Sequence, residues 1–518
     1  MSVFDAIGDR LVGLDLHPFD PVAEEVIAVR VAARDYETRS ADAPASVAYD
    51  GFLLSLTFEQ SLAAPGALAG RSVGGRGAIR VGDPSRDDAP SGTKLEAWAG
   101  WRWQGRRFEA WLLEAGRPFA DRVVVISGLL GALSRDGNDW VLPIRDLQER
   151  LRGDLQDPAR SYLGTGGFEG GPELAGKPRP AGFGLNRRIE PVPLGEDLWF
   201  DLHDGEIEEI IDGEVQVGGS AIVEDPSNPP ASGKHYRDLA NGRLRLGTRP
   251  SLPLTVSFRG DASGSGYVST MASIARRILG RRGGVDDPAG LVTASFEALD
   301  AANPAEVGFW AGTDKVSIAA ALDAVLGSDL AFWLPDALSR FRVGRLALPT
   351  ATEETADLAL DEHDIVRGSV RRRLVDTPPW MVRGLYRPYG RTLTTSELAG
   401  AVSAANGADY GQEFRVKTWS DADVLAAWPD SKPLDLEMRF DDAAAAQAAT
   451  DRAGAILGVG LVPYELETGL QPLGIDLGGQ IWVRYPDEGL AEGKALILAS
   501  RSVDLVQGFT RCELWGVG

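Results

Sequence analysis

Between residues 24 and 61 apolar and polar positions alternate in short runs, EVIAVRVAA, SVAYDG and FLLSLTFEQ. VIAVRVA alternates around Arg30 with a period of two, which sends one face of a strand into a core and the other to water. Two more β-type runs, VVVISGLL at 123–130 and DWVLPIRD at 139–146, flank Asp136-Gly137-Asn138 and predict a pair turning there. The stretch LEAWAGWRWQGRRFEAWLLEAG, from Leu95 to Gly116, predicts another hairpin. Its first strand would end in Trp101-Arg102-Trp103, its turn would be Gln104-Gly105, and RRFEAWLLEAG would return. A period of two puts the indoles of Trp101 and Trp103 on one face, where they fill a hairpin core as large cross-strand residues do. Residues 1–150 thus read as an N-terminal β-rich domain.

The pattern then changes four times. Residues 151–185 are thick with glycine and proline and read as a long loop. From 186 to 265 short runs such as LWFDLHDG, EVQVGGSAIVED and LPLTVSFRGD are each ended by turn residues, and Asn241-Gly242 is a strong hairpin signal. This is a small all-β unit. At 266–349 the period switches to helical. Met271, Ile274, Ile278 and Leu279 share one helix face, and DKVSIAAALDAVLG repeats the pattern with Thr313 and Asp314 as caps. DLAFWLPDALSRFRVGRLALP then reads as strand, turn and strand. Residues 350–518 return to β, with one alanine-rich helix near 441–458 and a terminal meander ending in CELWG.

Composition narrows the chemistry. The 518 residues suit several domains rather than one core, and 62 glycines with 31 prolines favour turns over long helices. A formal charge of −22 argues against a nucleic-acid clamp, which needs a basic face. The one cysteine, Cys512, excludes an internal disulfide framework and cysteine-based zinc or iron–sulfur sites, and reads as a small buried apolar residue. The N-terminus lacks a basic segment followed by an apolar run, and no run of eighteen apolar residues occurs, so neither a signal peptide nor a membrane span is expected.

Candidate catalytic groups are sparse. His17, His203, His235 and His363 lie in unlike segments without a metal-ligand spacing. The nearest stretch to a nucleophile elbow, DASGSGYVS, has the wrong spacing, and GRRGG at 280–284 lacks the ending of a phosphate loop. A glycosidase needs two opposed carboxylates. Asp136 with Asp139, and Glu206, Glu208 and Glu209, sit at turns where acidic residues serve geometry and solubility. Catalytic, cofactor and metal residues are therefore read as none. Arg367, Arg371, Arg372 and Arg373 are the one local reversal of the acidic trend, read either as a solvated strand end or as an intersubunit contact.

The order of segments carries more than any site. VGGRGAIRVGD, LEAWAGWRWQGRRFEAWLL and VVVISGLLGAL, then AGKPRPAGFGLNRRIEPVPL, LWFDLHDGEIEEI and YRDLANGRLRL, resemble the central tail-hub or baseplate-hub proteins of long-tailed bacteriophages and gene-transfer-agent particles. The likeness continues in DIVRGSVRRRLVDTPPWMVRGLYRPYGRTL, in AAAAQAATDRAGAILG and in LGIDLGGQIWVRYPDEGLAEGKALILASRSVDLVQGFTRCELWG. It spans about 50–518 and rests on short motifs in a consistent order. Two features of some such proteins are missing here, a glycosidase-like barrel and the cysteine clusters of an iron–sulfur site.

The resemblance implies structural work. The expected fold is mainly β with α+β accessory units, in which 1–150 and 350–518 form two tube-like barrel or sandwich domains. Three chains would then build a homotrimeric, pseudo-sixfold ring that joins the tail tube to the tip and surrounds a DNA channel. Expected partners are distal tail or tail-tube proteins, the tape measure protein and tip or fibre receptor-binding proteins, with DNA passing unbound. The place is the virion tail tip, after assembly in the host cytoplasm. The alternatives are a tail-associated cell-wall glycosidase and a carbohydrate-binding adhesin.

Overall fold

A computed structural model describes residue 4 and residues 10–62, 72–82, 95–137, 139–374 and 377–517. It is mostly β and multidomain. Its largest element is a sheet of fourteen strands assembled from both ends of the chain. The path begins at Arg371–Arg372 and runs through Leu461–Thr468, Phe509–Val517 and Lys494–Asp504. It passes to Leu53–Leu62, Ser72–Gly82, Asp139–Arg145, Val123–Leu130, Arg107–Glu114 and Arg10–Leu16, and ends at Val29–Ala32. Alternation explains the strands individually. In Leu53–Leu62, Leu56, Phe58, Gln60 and Leu62 are buried, while Thr57, Glu59 and Ser61 face outward.

The junction lies between Lys494–Asp504 and Leu53–Leu62, which pair antiparallel from Ser500 opposite Ser61 to Asp504 opposite Thr57. This corrects the expectation of two separate barrel-like domains. The first and last thirds share one sheet, and among the described residues its path stays open rather than closing on itself. Hydrogen-bonding capacity is the reason: the outer edge of each half-sheet is satisfied by the other instead of by its own return strand.

The chain does turn at Gln104-Gly105, where the Arg106 N–H donates to the Trp103 carbonyl at 3.0 Å, but the hairpin expected across that turn is corrected. Leu95–Gly100 is a 3-10 helix, and Arg102 exchanges backbone hydrogen bonds with Phe19 rather than with a return strand. Arg107–Glu114 instead pairs with Arg10–Leu16 on one side and Val123–Leu130 on the other. The indoles explain the coil. Trp103 donates its Nε1–H to the Trp98 carbonyl at 2.8 Å, and the two ring centroids lie 5.0 Å apart. In a strand, five residues would separate them by about 17 Å. Trp98 and Trp103 are buried and Trp101 is half-buried beside Trp103. Trp111 is buried from another side, where Gly13 is required because a Cβ there would stand 2.0 Å from the ring.

Three smaller differences follow the same logic. The turn at Gly137 is where it was expected, but the strand that faces Asp139–Arg145 across it is Ser134–Asp136, and Val123–Leu130 meets Asp139–Arg145 only at Leu129 and Leu130; Asn138 lies outside the described residues. The stretch read as a loop at 151–185 holds four 3-10 turns between Leu147 and Leu174, and it becomes strand at Ala181–Ile189. Leu151, Leu155, Tyr162 and Leu174 are buried there, so apolar anchors hold the segment down between its glycines. The helix expected to open at Thr313 or Asp314 begins at Ile318, because the Ser317 side chain accepts from the Ala320 N–H.

The middle of the chain stacks two five-stranded sheets. One runs Ser220–Ala221, Ile207–Val217, Leu254–Asp261, Ala181–Ile189 and Gly308–Ala311. The other runs Val192–Pro193, Trp199–Asp201, Arg243–Leu246, Lys234–Asp238 and Val223–Glu224. Leu202, Ile210, Leu244, Val256 and Phe258 fill the space within this unit. Helices Met271–Arg281, Thr293–Ala302 and Ile318–Leu326 and the hairpin Ala331–Pro335 with Phe341–Arg345 share a second core, in which Met271, Ile274, Ile278 and Leu279 are fully buried. In the last third the helix Ala443–Leu457 packs on a three-stranded sheet, close enough that a Cβ at Gly454 would lie 2.0 Å from the Trp419 ring.

Candidate assembly surface

The sheet's last strand carries the basic cluster. Arg371 and Arg372 pair with Glu465 and Tyr464 of Leu461–Thr468, and nothing pairs on their outer side among the described residues. Both side chains are exposed, as is Arg367, and none of the three has an ion-pair partner among the described residues. Arg373 is salt-bridged to Glu465. Leu374, next in the chain, is 95% exposed. A cleft of about 500 Å³ opens beside this edge, lined by Arg367, Ser369, Arg371, Glu465, Glu467 and Arg511.

The chain that flanks the opposite edge of the sheet is acidic, although the edge strand Val29–Ala32 itself carries Arg30 and no carboxylate. Residues 15–50 hold eight carboxylates against three arginines, whereas 365–374 holds four arginines and no carboxylate. Between the two ends, the outward face near the junction is almost neutral: Glu467 bonds Arg511, and Glu59 lies 3.9 Å from Arg76.

The junction is locked by a buried cation. Arg501 is 3% exposed and donates to Gln60 Oε1 through Nε and Nη2, at 3.1 and 2.7 Å. Its Nη1 reaches the carbonyls of Pro472, Leu473 and Ile475, and Gln60 in turn donates to the Pro335 carbonyl at 2.8 Å. Burial pushes this guanidinium down to about 10. One residue therefore ties the N-terminal strand, the terminal meander and the 331–345 hairpin together.

Of the carboxylates singled out in the sequence, Glu206 and Glu208 are exposed and the other three are held by arginines. Asp136 and Asp139 both grip Arg80, and Glu209 holds Arg259 at 2.6 Å. Of the buried carboxylates, Asp201, Asp261 and Asp329 are each met by two arginines, and Asp204 and Asp336 by one each. Around Asp261 burial alone would raise the carboxyl, but the nearby His203, a hydrogen bond from Ser263 and the charge of Arg281 hold it below the ordinary range. His203 accepts from the Gly182 N–H through Nδ1 and lies 3.7 Å from Asp261, with both side chains closed to solvent. Such a set supports packing between the small β unit and the helix Met271–Arg281; it offers no substrate a way in. His17 is half-buried and His363 exposed, so the four histidines do not share one environment.

His235 gives a pH prediction. It is 1% exposed, and burial, then the neighbouring Arg237 charge, push its imidazole down to about 4. The unfolded chain then binds more protons than the folded one between about 6.5 and about 4. Stability should be complete above pH 6.5 and fall by roughly 2–3 kcal/mol as pH drops to 4. Urea midpoints measured across that range should flatten in His235→Gln; an unchanged slope would assign the loss to other groups.

No protein-family model matches the chain, and no curated protein does. Solved structures do. The fold resembles phage tail proteins. A tail protein from Neisseria meningitidis MC58 overlays with a TM-score of 0.38 at 10% identity, covering 91% of this chain and 94% of that one. The 43 kDa tail protein of prophage MuSo2 from Shewanella oneidensis gives 0.38 at 10% identity over 97% and 98%. A chain of the native gene transfer agent virion gives 0.40 at 15% identity over 72% and 91%.

Proposed function

We propose that the chain is a structural hub of a phage tail tip or baseplate, in which three copies close head-to-tail around a channel. The carrying observation is one open sheet with an arginine-rich edge at Arg371–Arg372 and, at the opposite edge, flanking chain segments rich in carboxylates. A surface whose two ends differ in charge suits a heterologous contact, and such contacts generate rings when the rotation closes. The motif order supports the same reading.

In this reading the first and last thirds supply the ring, joining the tail tube above to the tip below. The small β unit and the helical unit hang outside as platforms for other tail, tip or fibre proteins. The face carrying Glu59, Arg76, Glu467 and Arg511 turns to the channel, where its balanced charge neither grips nor strongly repels DNA phosphates. Arg371, Arg372 and Arg373 point into the contact between subunits. No group acts as a catalyst in this reading: the buried carboxylates are matched by arginines, and the exposed Glu206 and Glu208 lie on one strand edge without an opposed acid among the described residues.

Mass measurement under native conditions tests this. The wild-type chain is expected to give a trimer, and Arg371→Glu with Arg372→Glu is expected to shift it to monomer with unchanged thermal stability. A monomeric wild type, or a trimer indifferent to both reversals, refutes the contact. Release of muropeptides from cell walls by the pure protein, abolished by one carboxylate substitution, would replace the structural reading with the glycosidase.

A further inference from the structure

We propose that the outer face of the Trp199–Asp201, Arg243–Leu246 and Lys234–Asp238 sheet is a docking site for another protein that presents an apolar side chain beside a carboxylate. Trp199, Arg245 and Tyr236 stand directly opposite one another on these three adjacent strands. All three are half-buried, so they form an open row across the sheet. Phe168 extends the row, 5.4 Å from Trp199 and 46% exposed.

The presentation of Phe168 is built rather than incidental. It sits on a loop whose Gly164, Gly166, Gly167 and Gly170 all have positive φ. Arg179, only 8% exposed, donates to the Phe168 carbonyl at 3.0 Å, to Glu169 at 2.8 Å and to Asp201 at 3.0 Å. A buried cation thus fixes an exposed aromatic ring, which lowers the ordering cost of any complex made through it.

The open valences indicate the partner's chemistry. Among the described residues Arg245 is bonded only to neutral groups, the Asp197 carbonyl at 3.1 Å and Asn228 Oδ1 at 2.7 Å. Among the described residues the Trp199 indole N–H and the Tyr236 hydroxyl have no hydrogen-bond partner. One free positive charge and two free polar tips among three aromatic rings are the composition of a protein hot spot, completed by a carboxylate and an apolar anchor. A sugar is disfavoured by geometry. The Trp199 and Tyr236 rings stand at 89° and the Phe168 and Trp199 rings at 65°, and Arg245 lies 5.5 Å over the Trp199 face. No flat stacking platform remains.

The site is independent of ring closure, so it can be tested apart from the hub reading. A displayed random-peptide library panned on the full chain should enrich sequences that pair an aromatic or aliphatic residue with Asp or Glu. Their affinity should fall about tenfold or more in Arg245→Glu and in Trp199→Ser, and stay unchanged in Arg371→Glu. The oligomeric state should not respond to the first two. If Trp199→Ser fails to fold, Arg245→Glu still decides, because its side chain bonds only neutral acceptors. Absence of enrichment, enriched peptides without carboxylates, binding indifferent to Arg245→Glu, or capture of a glycan from an array in a Trp199-dependent way would each overturn the proposal.

Discussion

Arg501→Met is expected to lower the free energy of unfolding by about 3–5 kcal/mol, the cost of leaving several buried acceptors without their shared donor. Methionine keeps most of the side-chain volume but leaves Gln60 Oε1 and the carbonyls of Leu473 and Ile475 without their donor, while the Pro472 carbonyl keeps the Ile475 N–H. Each buried acceptor so abandoned costs about 1–3 kcal/mol. The loss should be seen by urea denaturation, with proteolysis opening first between the Leu53–Leu62 and Lys494–Asp504 strands. Gln60→Leu combined with Arg501→Met should recover part of the loss, because one unpaired acceptor disappears with the donor. A change below about 1 kcal/mol in the single variant would mean that the junction relaxes and that Arg501 does not hold it.

Trp103→Ala is expected to cost a similar amount, about 3–5 kcal/mol, typical of emptying a buried indole site. The side chain is 3% exposed, its Nε1–H is bonded to the Trp98 carbonyl, and its ring touches both Trp98 and Trp101. Thermal unfolding should shift accordingly, and Trp103→Phe should keep more of the stability than alanine does. A variant that kept its melting temperature but lost a glycan ligand would point instead to an adhesin surface.

These two residues differ in how visible they are in the sequence. Trp103 lies in a conspicuous aromatic run, and a core position follows from its size and spacing. Its local structure does not follow, because a period of two and a short helical turn both place Trp101 and Trp103 near one another. The choice was made by Trp98, which approaches Trp103 only if the chain coils, and by Arg10–Leu16, which takes the edge of Arg107–Glu114 that a hairpin would have used. Arg501 gives no local signal at all. It sits in an alternating strand where an inward cation reads as an outward one shifted by a bulge, and Leu498 to Ser500 does carry such a shift in register.

The charged groups follow the same division. The cluster at Arg367 and Arg371–Arg373 is plain in an acidic chain, and so is its exposure at a strand end. That this strand is the last of a fourteen-strand sheet, with the acidic N-terminal segment at the other extreme, is not. The row of Trp199, Arg245 and Tyr236 is equally hidden, since its members come from three strands separated by turns of unlike length.

By itself the sequence determined the mainly β composition, the helical interval after residue 266, the apolar faces of individual strands and the lack of a ligand-spaced cysteine or histidine motif. These are local properties: the period of side chains along a strand or helix, and the distance between residues in one segment, are set by backbone geometry alone. Tertiary structure decided which strand edges meet. Pairing of residues 500–504 with 57–61 brings together positions more than four hundred residues apart, and no local pattern encodes a partner at that distance. The choice was fixed by satisfying two open edges at once and by burying Arg501 where four oxygens converge, conditions that exist only after the chain has folded around them.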